Sequence, residues 1–212
     1  MRICYFSADE LNDLHIRAED MWRVPAKQGW QKSSVDPMDI LKLFRGIWVR
    51  KGYILRGYLY REGLSGSGVV WALKEGFPEV NECARLNGSL KTPKPRNALC
   101  VMDVLEGDGS PESYISASLF AREMNEFGAL WYYLSWGWHE IIEECEIEKF
   151  QWSDDVKDMR PKVIMEEEIK TEFFTLCGLR RWRVYHHIDT FEGYRITSES
   201  RIVAEGEKGF VP

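Results

Sequence analysis

The stretch from Tyr53 to Leu73, YILRGYLYREGLSGSGVVWAL, constrains the fold more than any other part of the chain. Two runs of aromatic, β-branched and long apolar residues flank a Gly/Ser segment, and such residues suit a pleated, half-buried surface. Counted by twos, Tyr53, Leu55 and Leu59 share one face, while Ile54, Arg56, Tyr58 and Tyr60 share the other. The partner run, residues 69–73, is continuously apolar and belongs deeper. Upstream, residues 47–50 form a third short run, and Lys51-Gly52 has the length of a two-residue turn. These features predict a three-stranded antiparallel meander with residues 63–68 as a flexible loop.

That loop does not read as a phosphate cradle. It leads into a strand, so no helix N-terminus stands behind its glycines, and no Walker-type Gly-Lys-Ser/Thr follows. Its G-x-x-G-x-G spacing is neither the dinucleotide pattern nor a nucleophile elbow. A hairpin connection is the simpler meaning.

Helix signals are local and clear. Ser7 with Glu10 forms a capping box before an apolar stripe of Leu11, Leu14, Ala18 and Met21, and His15 borders that stripe. Asp36-Pro37 and Ser110-Pro111 each set an N-cap before a proline at the first helical position. Residues 28–34 read as a polar loop carrying Trp30. Residues 98–105, ALCVMDVL, read as a buried central strand, which makes Asp103 a candidate acid–base residue because a carboxylate there needs a partner. From Pro161 onward the chain turns to β-runs separated by Gly178 and Glu192-Gly193, which predicts antiparallel hairpins.

The whole, residues 1–212, is read as one α+β domain with a weak seam near residues 143–160. Its expected architecture is an antiparallel sheet with several packed helices and a C-terminal β-meander. The five cysteines are scattered without C-x-x-C spacing, which argues against a disulfide scaffold or a zinc ribbon and for free buried thiols in the cytoplasm. No segment reads as a secretory leader or a membrane span. A net charge of −6 disfavours nucleic acid, although residues 91–96, KTPKPR, are locally basic.

Two segments attract functional readings. The densest aromatic run, residues 130–138, offers Trp131, Tyr133, Trp136 and Trp138 as a stacking platform, or as the apolar wall between two layers. Next to it, His139-Glu140-Ile141-Ile142-Glu143 would, if helical, place His139 and Glu143 on one face as metal ligands, with Glu140 as a base. His187, in the run His186-His187-x-Asp189, is a third candidate ligand. No cofactor is expected from these patterns, and a divalent metal is the one that would fit them. The chain is therefore read first as a non-catalytic binding module for a protein partner or a second copy of itself. The alternative is a small hydrolase centred on His139 and Glu143.

Overall fold

In the computed structural model, which describes residues 1–77, 83 and 91–211, the three local caps start three α-helices. They are α1 Ala8–Trp22, α2 Pro37–Leu41 and α3 Pro111–Asn125. Ser7 Oγ accepts from the Glu10 N–H, Asp36 Oδ1 from Met38 and Ser110 Oγ from Ser113, so each cap satisfies a helix-end donor. The strands before α3 are β1 Arg2–Tyr5, β2 Gly29–Lys32, β3 Ile47–Val49, β4 Tyr53–Glu62, β5 Ser65–Lys74 and β6 Leu105–Gly107. After α3 come β7 His139–Ile142, β8 Gln151–Trp152, β9 Lys162–Met165, β10 Ile169–Cys177, β11 Arg181–Glu192 and β12 Arg195–Lys208.

The fold is mostly β, with 42% strand against 24% helix, and its main sheet is a curled antiparallel half-barrel. This corrects the expected α+β architecture of several helices packed on a sheet. Among the described residues only three segments are α-helical, and α2 is a single short turn of five residues. Segments read as loop or helix, including residues 29–32 and 139–142, are strands whose partners lie far away in sequence.

The main sheet runs β1-β9-β10-β11-β12-β8, and β7 also pairs with β10. β9 takes the first half of β10 (Ile169 to Glu172) and β7 takes the second (Phe174 to Cys177), so the two lie end to end along one edge. Thr171, Phe173, Thr175 and Cys177 face the large core, while Phe174 and Leu176 face a second core with Ile142, Met159, Val184 and Val203. Burial on both faces explains why β10 lacks the simple apolar/polar alternation of a surface strand.

The central hairpin holds, with Tyr53 opposite Lys74 and Glu62 opposite Ser65. Its loop is shorter than expected, because Ser65–Gly68 belong to β5 and leave Gly63-Leu64 as the turn. The third strand is also different. β2 pairs with β4, whereas β3 pairs with β6 and forms its own two-stranded sheet. Leu59 and Leu55 on β4 enter the core, and β2 covers the edge that residues 47–50 were expected to cover.

α3 lies between the main sheet and the β2-β4-β5 sheet, in contact with β9 and β10 on one side and β5 on the other. It is buried nearly all round: Ile115, Leu119 and Phe120 are at most 2% exposed, and so are Ser113, Ser118 and Glu123. Burying each large apolar side chain contributes about 1.5–3 kcal/mol. The chain leaving α3 presses Phe127 onto Gly57, where a Cβ would come within 2.5 Å of the ring. A side chain at position 57 would push the hairpin off the helix.

No helix among the described residues is long and apolar enough to cross a membrane. None of the five cysteines is in a disulfide; Cys83 and Cys177 are buried, but Cys100 is exposed.

Candidate functional site

The aromatic segment divides at its middle. Glu126, one residue beyond α3, accepts hydrogen bonds from the backbone N–H groups of Ser135, Trp136 and Gly137. That clamp turns the Trp136 indole inward, where it is 7% exposed and donates from Nε1 to Glu123 Oε1 at 2.8 Å. Burial raises the Glu126 carboxyl above its ordinary range, the three N–H donors oppose the shift, and the Glu123 charge adds to it. Trp138 is half-buried against Phe210, 5.3 Å between centroids. Trp136 and Trp138 are therefore wall, not platform.

The other half of the segment points out. Trp131, Tyr132 and Tyr133 form a 3-10 turn and are 49%, 87% and 48% exposed. Leu130 anchors the turn by exchanging backbone hydrogen bonds with Gly66 on β5. Trp131 has φ +51°, a left-handed conformation that disfavours bulky side chains by about 1–2 kcal/mol.

Around Trp136 lies a layer of buried polar groups. His15 Nδ1 and Glu123 Oε1 are 2.6 Å apart, on α1 and α3. Burial disfavours the His15 imidazolium, but the hydrogen bond and charge of Glu123, helped by Glu19 and Glu126, outweigh it and raise the pKa. Glu123 Oε2 is buried without a protein partner. Arg122 forms a bidentate pair with Asp189 on β11, at 2.6 and 3.0 Å, and also donates to the Ser118 carbonyl and hydroxyl. Ser118 and Thr171 hydroxyls also reach Asp189, as does Ser198. Burial pushes the Asp189 carboxyl up, yet the Arg122 charge and hydrogen bonds prevail and hold it below its ordinary range.

His139 and His187 meet at Thr175. Thr175 Oγ1 lies 2.7 Å from His139 Nδ1 and 2.8 Å from His187 Nε2, and a hydroxyl there can accept from one imidazole while donating to the other. Both rings pack against Trp136 and Tyr185. Burial, then the Arg122 charge, lowers His139 to about 4 and His187 to about 2, so both are neutral at pH 7.

The helical premise for His139 and Glu143 is corrected by β7. In a strand, alternate residues share a face, so His139 points to the core and Glu140 to solvent. Glu143 follows the strand and accepts from the Ala8 N–H at 2.7 Å, at the start of α1. Of the three candidate ligands, His139 and His187 come together and Glu143 does not join them. No group of three His, Cys, Asp or Glu among the described residues is arranged to hold a metal ion. Asp103 is not in a strand: it ends the 3-10 turn Val101–Asp103, half-exposed, and pairs with Arg195 at 3.3 Å. The run 98–105 folds that way because Ala72–Leu99 is an isolated bridge and ladder pairing begins only at Leu105.

Comparison with known proteins finds no matching family model, no matching curated protein and no matching solved structure.

Chemically, Thr175 has the geometry of a hydroxyl beside a base, but it is fully buried, and a substrate carbonyl or phosphorus cannot reach Oγ1. The His–Thr–His chain is a dry hydrogen-bond relay that ties β7, β10 and β11 together. Sequence reading missed Thr175, Arg122 and Glu123. The one available signal was an Arg-Glu pair inside a helix whose other positions are almost all apolar or small.

Proposed function

We propose that this chain is a binding module whose contact element is the aromatic turn Trp131–Tyr133, and that its partner is a protein. The observation that carries the reading is the display of three consecutive large aromatics on a turn fixed at both ends. Glu126 holds the residues after it and Gly66 the residue before it. Contiguous exposed aromatics on a rigid support are what interface anchors look like, because little side-chain entropy remains to be lost on binding.

The same geometry favours a protein over a sugar ring or a base. A 3-10 turn advances about 120° per residue, so consecutive rings splay in three directions and do not share a plane. A knob that enters a partner's pocket fits this arrangement better than a stacking platform does. The left-handed backbone at Trp131 adds support, since such conformations gather at functional sites.

The test is photo-crosslinking in the native cells. A photoreactive phenylalanine analogue replaces Tyr132, with exposed Arg17 on α1 as the control position. The expected result is a discrete adduct at Tyr132 that Arg17 does not give and that Trp131→Ala with Tyr133→Ala removes. Adducts of equal yield and pattern at both positions would sink the reading.

A further inference from the structure

A second surface, sharing no residue with the aromatic turn, lies on the outer face of the main sheet. Segment 145–159 covers much of this face: Cys145, Phe150, Trp152, Val156 and Met159 pack over Ile142, Phe174, Val184 and Val203. Beside Cys145 and Phe150 the cover is incomplete. It leaves a hollow of about 1110 Å³ floored by Ile142, Leu176, Phe150, Trp182 and Gly206. The strand register explains the floor. Glu140 stands opposite Leu176, Leu176 opposite Val184, and Val184 opposite Ala204, so the row crosses β7, β10, β11 and β12 on one face. Trp182 and Gly206 lie one step further along.

The rim is predominantly acidic. Glu140, Glu144, Glu146, Glu148 and Glu207 line the hollow, and the one cation among its described lining residues, Lys149, is bonded to Glu146 at 2.6 Å. Trp182 stays 39% exposed, and its ring is pinned from behind by Gly178, where a Cβ would lie 2.8 Å from it. An indole held open beneath carboxylates suits a guanidinium or ammonium group, by ring quadrupole and by charge together. The apolar floor asks for a side chain that the charges cannot satisfy.

We infer that this hollow is a docking groove for a basic segment of a partner protein, in which Arg or Lys meets the rim and Trp182 while an aliphatic side chain fills the floor. The inference goes beyond the aromatic-turn reading and stands or falls without it.

The experiment uses the full chain and a fluorescent twelve-residue peptide of alternating arginine and leucine, followed by anisotropy at low salt. Peptides alternating arginine with serine, and glutamate with leucine, are the comparisons. The groove variant is Glu140→Gln/Glu144→Gln/Glu148→Gln. The control variant Glu166→Gln/Glu167→Gln/Glu168→Gln removes the same charge from another exposed acidic run. The groove variant should weaken the arginine/leucine peptide by tenfold or more and the control by less than twofold, with Trp182→Leu also weakening it. Equal loss in both glutamine variants would reduce the effect to net charge and overturn the assignment. So would arginine/serine binding as tightly as arginine/leucine, or no binding of either. Sedimentation of the free protein supplies the last arm: a dimer that the groove variant abolishes would give the groove to a second copy of the chain and overturn the peptide-segment reading.

Discussion

The side-chain amide of Asn12 bonds both backbone groups of Ile141, donating to its carbonyl and accepting from its N–H, each at 2.8 Å. Asn12 sits on α1 and Ile141 on the outer edge of β7, so one carboxamide stands in for a neighbouring strand. Open edges invite pairing with other chains, and covering them is how native sheets avoid it. Asn12→Leu leaves two half-buried backbone groups without partners. It should destabilise the protein by about 2 kcal/mol in urea unfolding and increase self-association. Asn12→Asp keeps the acceptor but sets a carboxylate against a carbonyl, and should be no better. An unchanged urea midpoint in both variants would show that the edge is protected by something else.

The Arg122–Asp189 pair joins the last turn of α3 to the second half of β11, and both side chains are largely out of water, at 12% and 0% exposure. Removing one partner of such a pair is the expensive change, because it strands a charge. Asp189→Ala should therefore cost about 3–5 kcal/mol, whereas replacing both with apolar residues of similar size recovers most of that loss. A chemical denaturation series on Asp189→Ala and Arg122→Met/Asp189→Leu tests the ordering. If the double variant is the least stable, Ser118 and Thr171, not Arg122, are the partners that matter.

The neutral histidines make stability depend on pH in a defined window. Above about pH 8 His139 and His187 are uncharged in both the folded and unfolded chains and contribute no slope. As pH falls from 6.5, the unfolded chain takes up protons that the folded chain refuses until about 4 at His139 and about 2 at His187. Stability thus drops on acidification between pH 6 and 5, by about 2–3 kcal/mol per pH unit when both sites count. His15 has the opposite sign: its raised pKa stabilises the fold fully below 6.5 and loses that effect as pH rises through the folded value. Urea unfolding at pH 5.0, 5.5 and 6.0 should show the slope. In His139→Gln it should fall by about 1.4 kcal/mol per pH unit. An undiminished slope would mean that His139 is charged in the folded protein.

What could be read from the sequence was what neighbouring residues decide. The caps at Ser7, Asp36 and Ser110, the β4–β5 hairpin and the C-terminal hairpins depend on contacts a few residues apart, and each formed. Pairings between distant segments were not readable. Nothing near Ile47 says that Gly107 is its partner, and nothing near His139 says that Cys177 is opposite it. That pairing also set the fold class, since it converts short ambiguous runs into a curled sheet. The site followed the same logic. His139 and His187 could be nominated by residue type, but Thr175 between them is visible only once β7, β10 and β11 are in register.

Tyr132 and Trp136 stand four residues apart and should respond in opposite ways to truncation. Tyr132 is 87% exposed at the crest of the aromatic turn, so Tyr132→Ala removes almost no buried surface and should change stability by less than about 0.5 kcal/mol. Trp136 is 7% exposed, donates to Glu123 and packs against His15, His139 and His187. Trp136→Ala opens a cavity and removes a donor from a carboxylate that already has one buried oxygen unpaired, so it should cost about 3–5 kcal/mol. Binding should invert the order. Tyr132→Ala is expected to abolish partner capture by a protein that unfolds normally. Conservative Trp136→Phe keeps most of the wall and should leave capture by the remaining folded protein intact. Equilibrium unfolding measured beside direct binding of the partner that the Tyr132 adduct identifies separates the two roles. Loss of capture that tracks stability across all three variants would make the turn a structural edge and not a contact element.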